Sequence, residues 1–317
     1  MLGSWMESEI REQPDLLAKN APSYLGQLSK MVGGQEFELV LLAARGSSDN
    51  AALFARYLIE VHLGIPVSLA APSVLTRYGT RVKYPKTLAI GISQSGAAPD
   101  VAEVLGQLRE DGHTTLAITN TASSRLEQTA EHTLLLNCGE ERSVAATKTY
   151  SSSLLALYQL VRALGGNLPE AGGDDLPCSD WLDECRRGAE MNLGKVLRTN
   201  VHFALARGYS FCTANETALK LMECALIACK SYSTADFQHG PRALASYGCT
   251  AIVYGEPMQD LATQGALLVE APIAPCPEPL KPLGEIFFGQ WLALLAARAR
   301  GLDPDHPDHI QKVTQTR

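Results

Sequence analysis

The sequence predicts an α/β protein of parallel sheets covered by helices on both faces, with one such unit used twice. Three observations carry this. Short, wholly apolar runs alternate with amphipathic segments, the pattern of parallel strands buried between crossover helices. The segment LVLLAARG at 39–46 returns as VHFALARG at 201–208, each copy followed by a short polar loop and an aliphatic helix. Between the copies, GGNLPEAGGDDLP at 165–177 keeps no apolar period and reads as a break. With 317 residues the chain has room for two cores of ordinary size.

Taken in order, strands are expected at Phe37–Ala43, Pro66–Ala70, Thr87–Ile92, Thr114–Thr119 and His132–Asn137. Helices are expected between and after them at Asn50–His62, Pro99–Glu110, Ser123–Thr129 and Ala145–Leu164. Pro99 suits a first helical turn, where its missing N–H costs nothing. Beyond the break, Trp181–Arg198 reads as an amphipathic helix, 201–208 as strand and turn, Asn215–Lys230 as a helix, 249–255 and 265–272 as strands, and Phe287–Arg300 as a closing helix. The stretch from Gly255 to Gly265 is close to the minimum of about a dozen residues that a parallel crossover needs. The expected organisation is a helical segment at 1–34, a first α/β domain at 35–165, linker and helix at 166–195, a second α/β domain at 196–300 and a polar tail at 301–317. As plain structure that tail would fray.

Apolar residues make up 46% and charged residues 19%, with a net charge of -7. There is no basic stripe interleaved with aromatics, so nucleic acid is not an expected partner. No apolar run approaches the roughly 18 residues of a membrane span. MLGSWMESEIREQP carries acids and no apolar core, unlike a signal peptide. Eight cysteines form no CxxC pair, and Cys224 and Cys229 fall in what reads as one helical stretch, as small core residues. The seven histidines show no HExxH spacing. A reduced, cytoplasmic protein with no metal and no organic cofactor is the expectation.

Chemistry concentrates in polar turns. Arg45-Gly46-Ser47-Ser48-Asp49-Asn50 follows the first strand, and Ser93-Gln94-Ser95-Gly96 follows the third. In an open parallel sheet both emerge at the C-terminal strand ends, where ligands bind. Helix starts offer N–H donors and a positive dipole end, serines add hydroxyls, and Gly96 admits close backbone approach, which together suit a phosphate. Neither GxGxxG nor GxxxxGK[ST] is present. Simple helix capping by Ser95 or Asn50 is the alternative. In the second copy Lys220 and Glu223 share a helix face, with Glu216 one turn earlier. His239 stands before Gly240-Pro241, held in a turn sixteen residues beyond Glu223. An ion pair on a solvated face and a structural histidine are the plain alternatives.

REQPDLL at 11–17, ARGSSDNAA at 44–52, ISQSGAAPD at 92–100, ERSVAATKTY at 141–150, ETALKLMECALI at 216–227, DFQHGP at 236–241 and the closing HIQKVTQTR together resemble the double sugar-isomerase (SIS) domain family over nearly the whole chain. The resemblance implies two flavodoxin-like SIS domains and a phosphorylated amino sugar as ligand. It implies that Gly46, Ser47, Ser48, Ser93, Gln94 and Ser95 bind the sugar phosphate. It further implies that Glu223 is the catalytic glutamate, Lys220 its lysine, His239 the ring-opening histidine supplied in trans within a homodimer, and Lys312 a lysine of an active-site tail. In this family the crossover at 255–265 is usually longer and carries a helix. Ala98 and Ala146 stand where the family's glutamine-dependent aminotransferases carry hydroxyls, and the pattern looks more like its stand-alone glucosamine-6-phosphate deaminases. Synthesis from glutamine would need a glutaminase domain, and the chain begins MLGSWMESE. The expected reaction is therefore the isomerising deamination of glucosamine 6-phosphate to fructose 6-phosphate and ammonia. The alternatives are a deaminase, deglycase or isomerase acting on another amino sugar phosphate or fructosamine 6-phosphate, and a non-catalytic phosphosugar-binding regulator.

Overall fold

The computed structural model describes residues 1–312; the end of the predicted tail, 313–317, lies outside the described residues. A 29-residue helix, α1 (Ser4–Val32), opens the chain. There follow β1 (Leu39–Ala43), α2 (Ser47–His62), β2 (Val67–Leu69), α3 (Ser73–Thr76), β3 (Thr87–Ile92), α4 (Pro99–Glu110), β4 (Thr114–Thr119), α5 (Arg125–Thr129), β5 (His132–Leu135) and α6 (Lys148–Ala163). Then come α7 (Ser179–Leu197), β6 (Val201–Ala206), α8 (Phe211–Ala225), β7 (Cys229–Ser233), α9 (Thr234–Phe237), β8 (Cys249–Val253), α10 (Gln259–Thr263), β9 (Leu267–Glu270) and α11 (Lys281–Ala299). Among the described residues no helix is long and apolar enough to cross a membrane.

The chain forms two compact units. One holds 16–140 and 149–172 and is built on a parallel sheet of order β2-β1-β3-β4-β5. Its third strand is buried at every residue, as a strand covered on both faces must be. One face packs Leu41, Ala89 and Ala117 against Val101, Leu105 and Leu108 of α4 and Leu126 of α5. Pro99 occupies the first turn of α4, as expected.

The other unit gathers 1–15, 141–148 and 173–312, and so reaches beyond the linear segment 196–300. Its parallel sheet runs β7-β6-β8-β9, which repeats the order of the first four strands of the other sheet. The duplication read from LVLLAARG and VHFALARG thus extends to topology. Phe203, Leu205, Ala251 and Val253 pack with Phe237 and Leu261. Helix α11 is buried nearly all round from Pro282 to Ala297, which matches its apolar circumference.

Three expectations are corrected here. The expected helix Asn215–Lys230 stops at Ala225, because Leu226 turns left-handed at φ 52°, and Cys229 opens strand β7 instead. CKSYS escaped notice because an edge strand is polar and lacks an apolar run. The short crossover after Gly255 does hold a helix, the five-residue α10, and β9 still pairs parallel with β8 through Thr250 opposite Leu267. The tail is not frayed at its start. Asp303 Oδ1 accepts from Gly3 N at 2.8 Å, and Asp305 accepts from Trp5 N at 2.8 Å and Met6 N at 2.9 Å. Two carboxylates therefore satisfy the open N–H groups at the start of α1. Replacing Asp305, which is buried, by alanine is expected to lower unfolding free energy by about 1–2 kcal/mol. Chemical denaturation measures it, and an unchanged midpoint would reject this anchoring role.

Candidate active site

The serine turns are built by glycine. Gly46 sits at φ 57°, ψ −131°, a conformation essentially closed to other residues, and swings the chain from β1 directly into α2. Ser47 and Ser48 thereby occupy the first turn of that helix, half-buried. Gly96 has φ +61°, and a Cβ there would lie 2.2 Å from Ser124 Oγ and 3.0 Å from Thr119 Oγ1. The carbonyl of Gln94 accepts from Asn120 N at 3.0 Å, Thr119 Oγ1 at 3.3 Å and Thr121 Oγ1 at 3.4 Å, which locks the turn after β3. Arg45 ties this edge together, its Nε and Nη2 each 2.8 Å from Oδ2 of buried Asp100 at the start of α4. The capping alternative does not hold. The residues preceding α2 and α4 are Gly46 and Ala98, with no side-chain cap at either helix, and Ser95 Oγ accepts from Ala97 N at 3.3 Å outside the helix. Two helix starts and four serines stand at this edge, donors of the kind that seat an oxyanion, while the space at Gly96 is taken by Ser124 and Thr119.

In the other unit, Lys220 lies on α8 with its side chain 0% exposed. Its Nζ is 2.5 Å from Glu223 Oε2 and 3.3 Å from Glu216 Oε1. Glu216 is 0% exposed and Glu223 25% exposed, so this face is not the solvated one that an i, i+3 pair alone would suggest. Burial works against the ammonium, but Glu216 and then Glu223 more than offset it and hold Lys220 charged well above the ordinary lysine range. Glu223 also lines a cavity of about 290 Å³ with Met222, Leu226, Leu302, His306 and Ile310.

His239 is exposed, in the turn after α9, with its backbone N–H on Asp236 O at 2.9 Å. Among the described residues no hydrogen bond joins it to Glu223. Lys312, the last described residue, places Nζ 2.7 Å from Glu141 Oε2 and 2.6 Å from Ser143 O. Glu141 is fully buried and accepts from Thr147 N at 3.0 Å through its other oxygen. Glu9, which accepts from Arg142 N and Ser143 N, is pushed up to about 7 by burial. Reasoning from sequence named Lys312 but missed the Glu141 that holds it. The signal was present as an acid inside ERSVAATKTY.

A second polar edge was also missed. The turns after β6 and β8, Arg207-Gly208-Tyr209-Ser210 and Tyr254-Gly255-Glu256-Pro257, border a cleft of about 730 Å³. Ser210 Oγ donates to Glu285 Oε1 at 3.0 Å, and Thr213 Oγ1 to Oε2 at 3.4 Å. Glu285 is 2% exposed, and burial pushes its carboxyl up to about 7 against those hydrogen bonds and Lys281. A lone acid in KPLGEIFFGQWLALLAARA was the available sign.

Residues 38–163 match the family model described as the SIS domain. Glutamine–fructose-6-phosphate aminotransferase (isomerizing) of Methanothermobacter thermautotrophicus is 30% identical over 338 residues, which cover 97% of this chain and 57% of that protein. The chain thus spans less than two thirds of that relative's length. A solved structure of glucosamine-6-phosphate deaminase from Thermotoga maritima matches with a TM-score of 0.85 and 25% identity, covering 99% of this chain and 100% of that one. The C-terminal domain of glucosamine-fructose-6-phosphate aminotransferase from Francisella tularensis shares the fold, with a TM-score of 0.79 at 21% identity over 96% of this chain and 98% of that one.

Glu285 allows a direct electrostatic test. Its carboxyl is raised from 4.5 to about 7, so the folded state favours the protonated form. The resulting contribution to stability is fully present below pH 4.5 and is lost as pH rises through about 7. Glu285→Gln keeps the acceptor without the charge. Its unfolding free energy relative to the wild type is expected to increase by about 2.5 kcal/mol between pH 5 and pH 8. A difference that stays flat over that range would contradict the buried-carboxyl assignment.

Proposed function

The chain belongs to the SIS-domain family, and on that premise we propose that it is an enzyme converting glucosamine 6-phosphate to fructose 6-phosphate and ammonia. The observation that carries the proposal is the charge cluster on α8. A buried ammonium holds a carboxylate, Glu223, that remains part-exposed and faces a cavity. Such a carboxylate is equipped to shuttle a proton, and a fixed neighbouring cation suits oxygen anions that form during enolisation. The likeness to the Thermotoga maritima deaminase, with a TM-score of 0.85, and alanines at 98 and 146 support deamination over synthesis.

In the proposed reaction the serine turns hold the phosphate through Ser47, Ser48, Ser93, Gln94 and Ser95, and its binding energy positions the sugar. His239, supplied by the second subunit of a homodimer, moves a proton between the C1 hydroxyl and the ring oxygen and opens the pyranose. The free aldehyde acidifies the C2 proton, which Glu223 removes to give an enaminol. Returning a proton to C1 yields the imine of fructose 6-phosphate. Water adds at C2 and ammonia leaves. Lys220 acts as a charge rather than as an amine nucleophile. A Schiff base needs the neutral amine, and Glu216 and Glu223 hold this one protonated. Lys312 is paired with Glu141, so its positive charge reaches a sugar oxygen already partly compensated.

The purified chain is expected to release ammonia and fructose 6-phosphate from glucosamine 6-phosphate in equal amounts. Interconversion of neutral sugar phosphates without ammonia would point to an isomerase and refute deamination. Glu223→Gln is expected to lower turnover by about 10²–10⁴-fold while phosphosugar affinity changes little. Equal loss of binding would reassign Glu223 to a structural role.

A further inference from the structure

The second sheet carries its own ligand edge, and its chemistry differs from that of the first. Arg207-Gly208-Tyr209-Ser210 stands where Arg45-Gly46-Ser47-Ser48 stands in the other copy, and Gly208 has φ +61° against +57° at Gly46. The turn after β8 corresponds to the serine turn after β3. In each sheet these turns leave adjacent parallel strands, β1 and β3 or β6 and β8, at the point where the strand order reverses. Open α/β sheets bind ligands at that position. Here it opens on the cleft of about 730 Å³, within the size range of small-molecule sites.

What lines the cleft excludes a simple copy of the phosphate seat. Ser210, at the place of Ser48, spends its hydroxyl on the buried carboxyl of Glu285. Tyrosine replaces Ser47, and the second turn brings Glu256 where the other copy has serines. Three carboxyl side chains, Glu256, Glu278 and Glu285, face two cations, Arg207 and Lys281. A phosphate dianion would meet acids at the floor and rim. A ligand with hydroxyls and an ammonium would find acceptors in both places, and half-buried Tyr209 supplies a flat wall for a sugar ring.

We propose that this cleft is a second small-molecule site, selective for a polyhydroxylated amine without phosphate, that is, a free amino sugar. Glu285 supports the choice, since a carboxyl poised near 7 accepts from an ammonium or donates to a hydroxyl. The inference is independent of the reaction proposed above.

Calorimetric titration of the full chain tests it, with glucosamine, glucose and inorganic phosphate as probes. The Ser93→Ala/Ser95→Ala chain separates this cleft from the serine turns. Glucosamine is expected to saturate one site in both proteins, to bind at least tenfold more tightly than glucose, and not to be displaced by phosphate. Glu256→Lys and Tyr209→Ala, both at accessible positions, are expected to weaken it at least tenfold. Absence of saturable glucosamine binding, equal affinity for glucose, displacement by phosphate in the serine-deficient chain, or indifference to both rim variants would each overturn the proposal.

Discussion

An ammonium with no exposed surface is the constraint around which the second unit is arranged. Moving Lys220 out of water costs several kcal/mol unless opposite charge accompanies it. Glu216 comes with it from one turn earlier on α8, and Glu223 from one turn later. The helix must therefore run unbroken through all three positions and end just beyond them, which the left-handed Leu226 accomplishes. The cluster also divides its carboxylates by environment. Glu216 is sealed in, while the Glu223 side chain is 25% exposed and lines the cavity. One acid neutralises and the other remains available. Hydrophobic residues would fill the same volume at less electrostatic cost, so the three charges are not needed for packing alone.

Duplication explains the rest of the architecture and also its asymmetry. Both sheets place two turns at the reversal of strand order, and both open the first turn with a left-handed glycine. The first copy has serines at its edge and ties Arg45 to Asp100. The second turned the corresponding serine onto a buried acid. The same backbone solution thus presents different polar groups at the two edges, and a fold-level likeness says little about ligand choice.

The regular elements of the first unit were legible because burial on both faces demands long apolar runs. Thr87–Ile92, Thr114–Thr119 and Pro99–Glu110 match the structure residue for residue. Strand β7 was not legible, since Cys229–Ser233 sits at a sheet edge where polar residues are tolerated. Spacing alone could put Lys220, Glu216 and Glu223 on one face, but not tell a solvated face from a sealed one. That depends on α8 being covered, a tertiary fact. Glu141 beneath Lys312 and Glu285 beneath Ser210 were hidden for the same reason, each joining residues more than 70 positions apart. The roles proposed for His239 and Lys312 rest on motif resemblance, and the geometry adds that Lys312 is ion-paired to Glu141.

The central claim is that Glu223 moves a proton between C2 and C1 beside a permanent cation. Solvent isotope incorporation tests it most directly. With glucosamine 6-phosphate turned over in D2O, deuterium is expected at C1 of the fructose 6-phosphate formed, read by NMR as loss of a C1 proton signal. A product carrying the original C2 hydrogen intact at C1, with no deuterium, and formed at an undiminished rate by Glu223→Gln, would indicate a hydride shift and contradict proton transfer by the carboxylate.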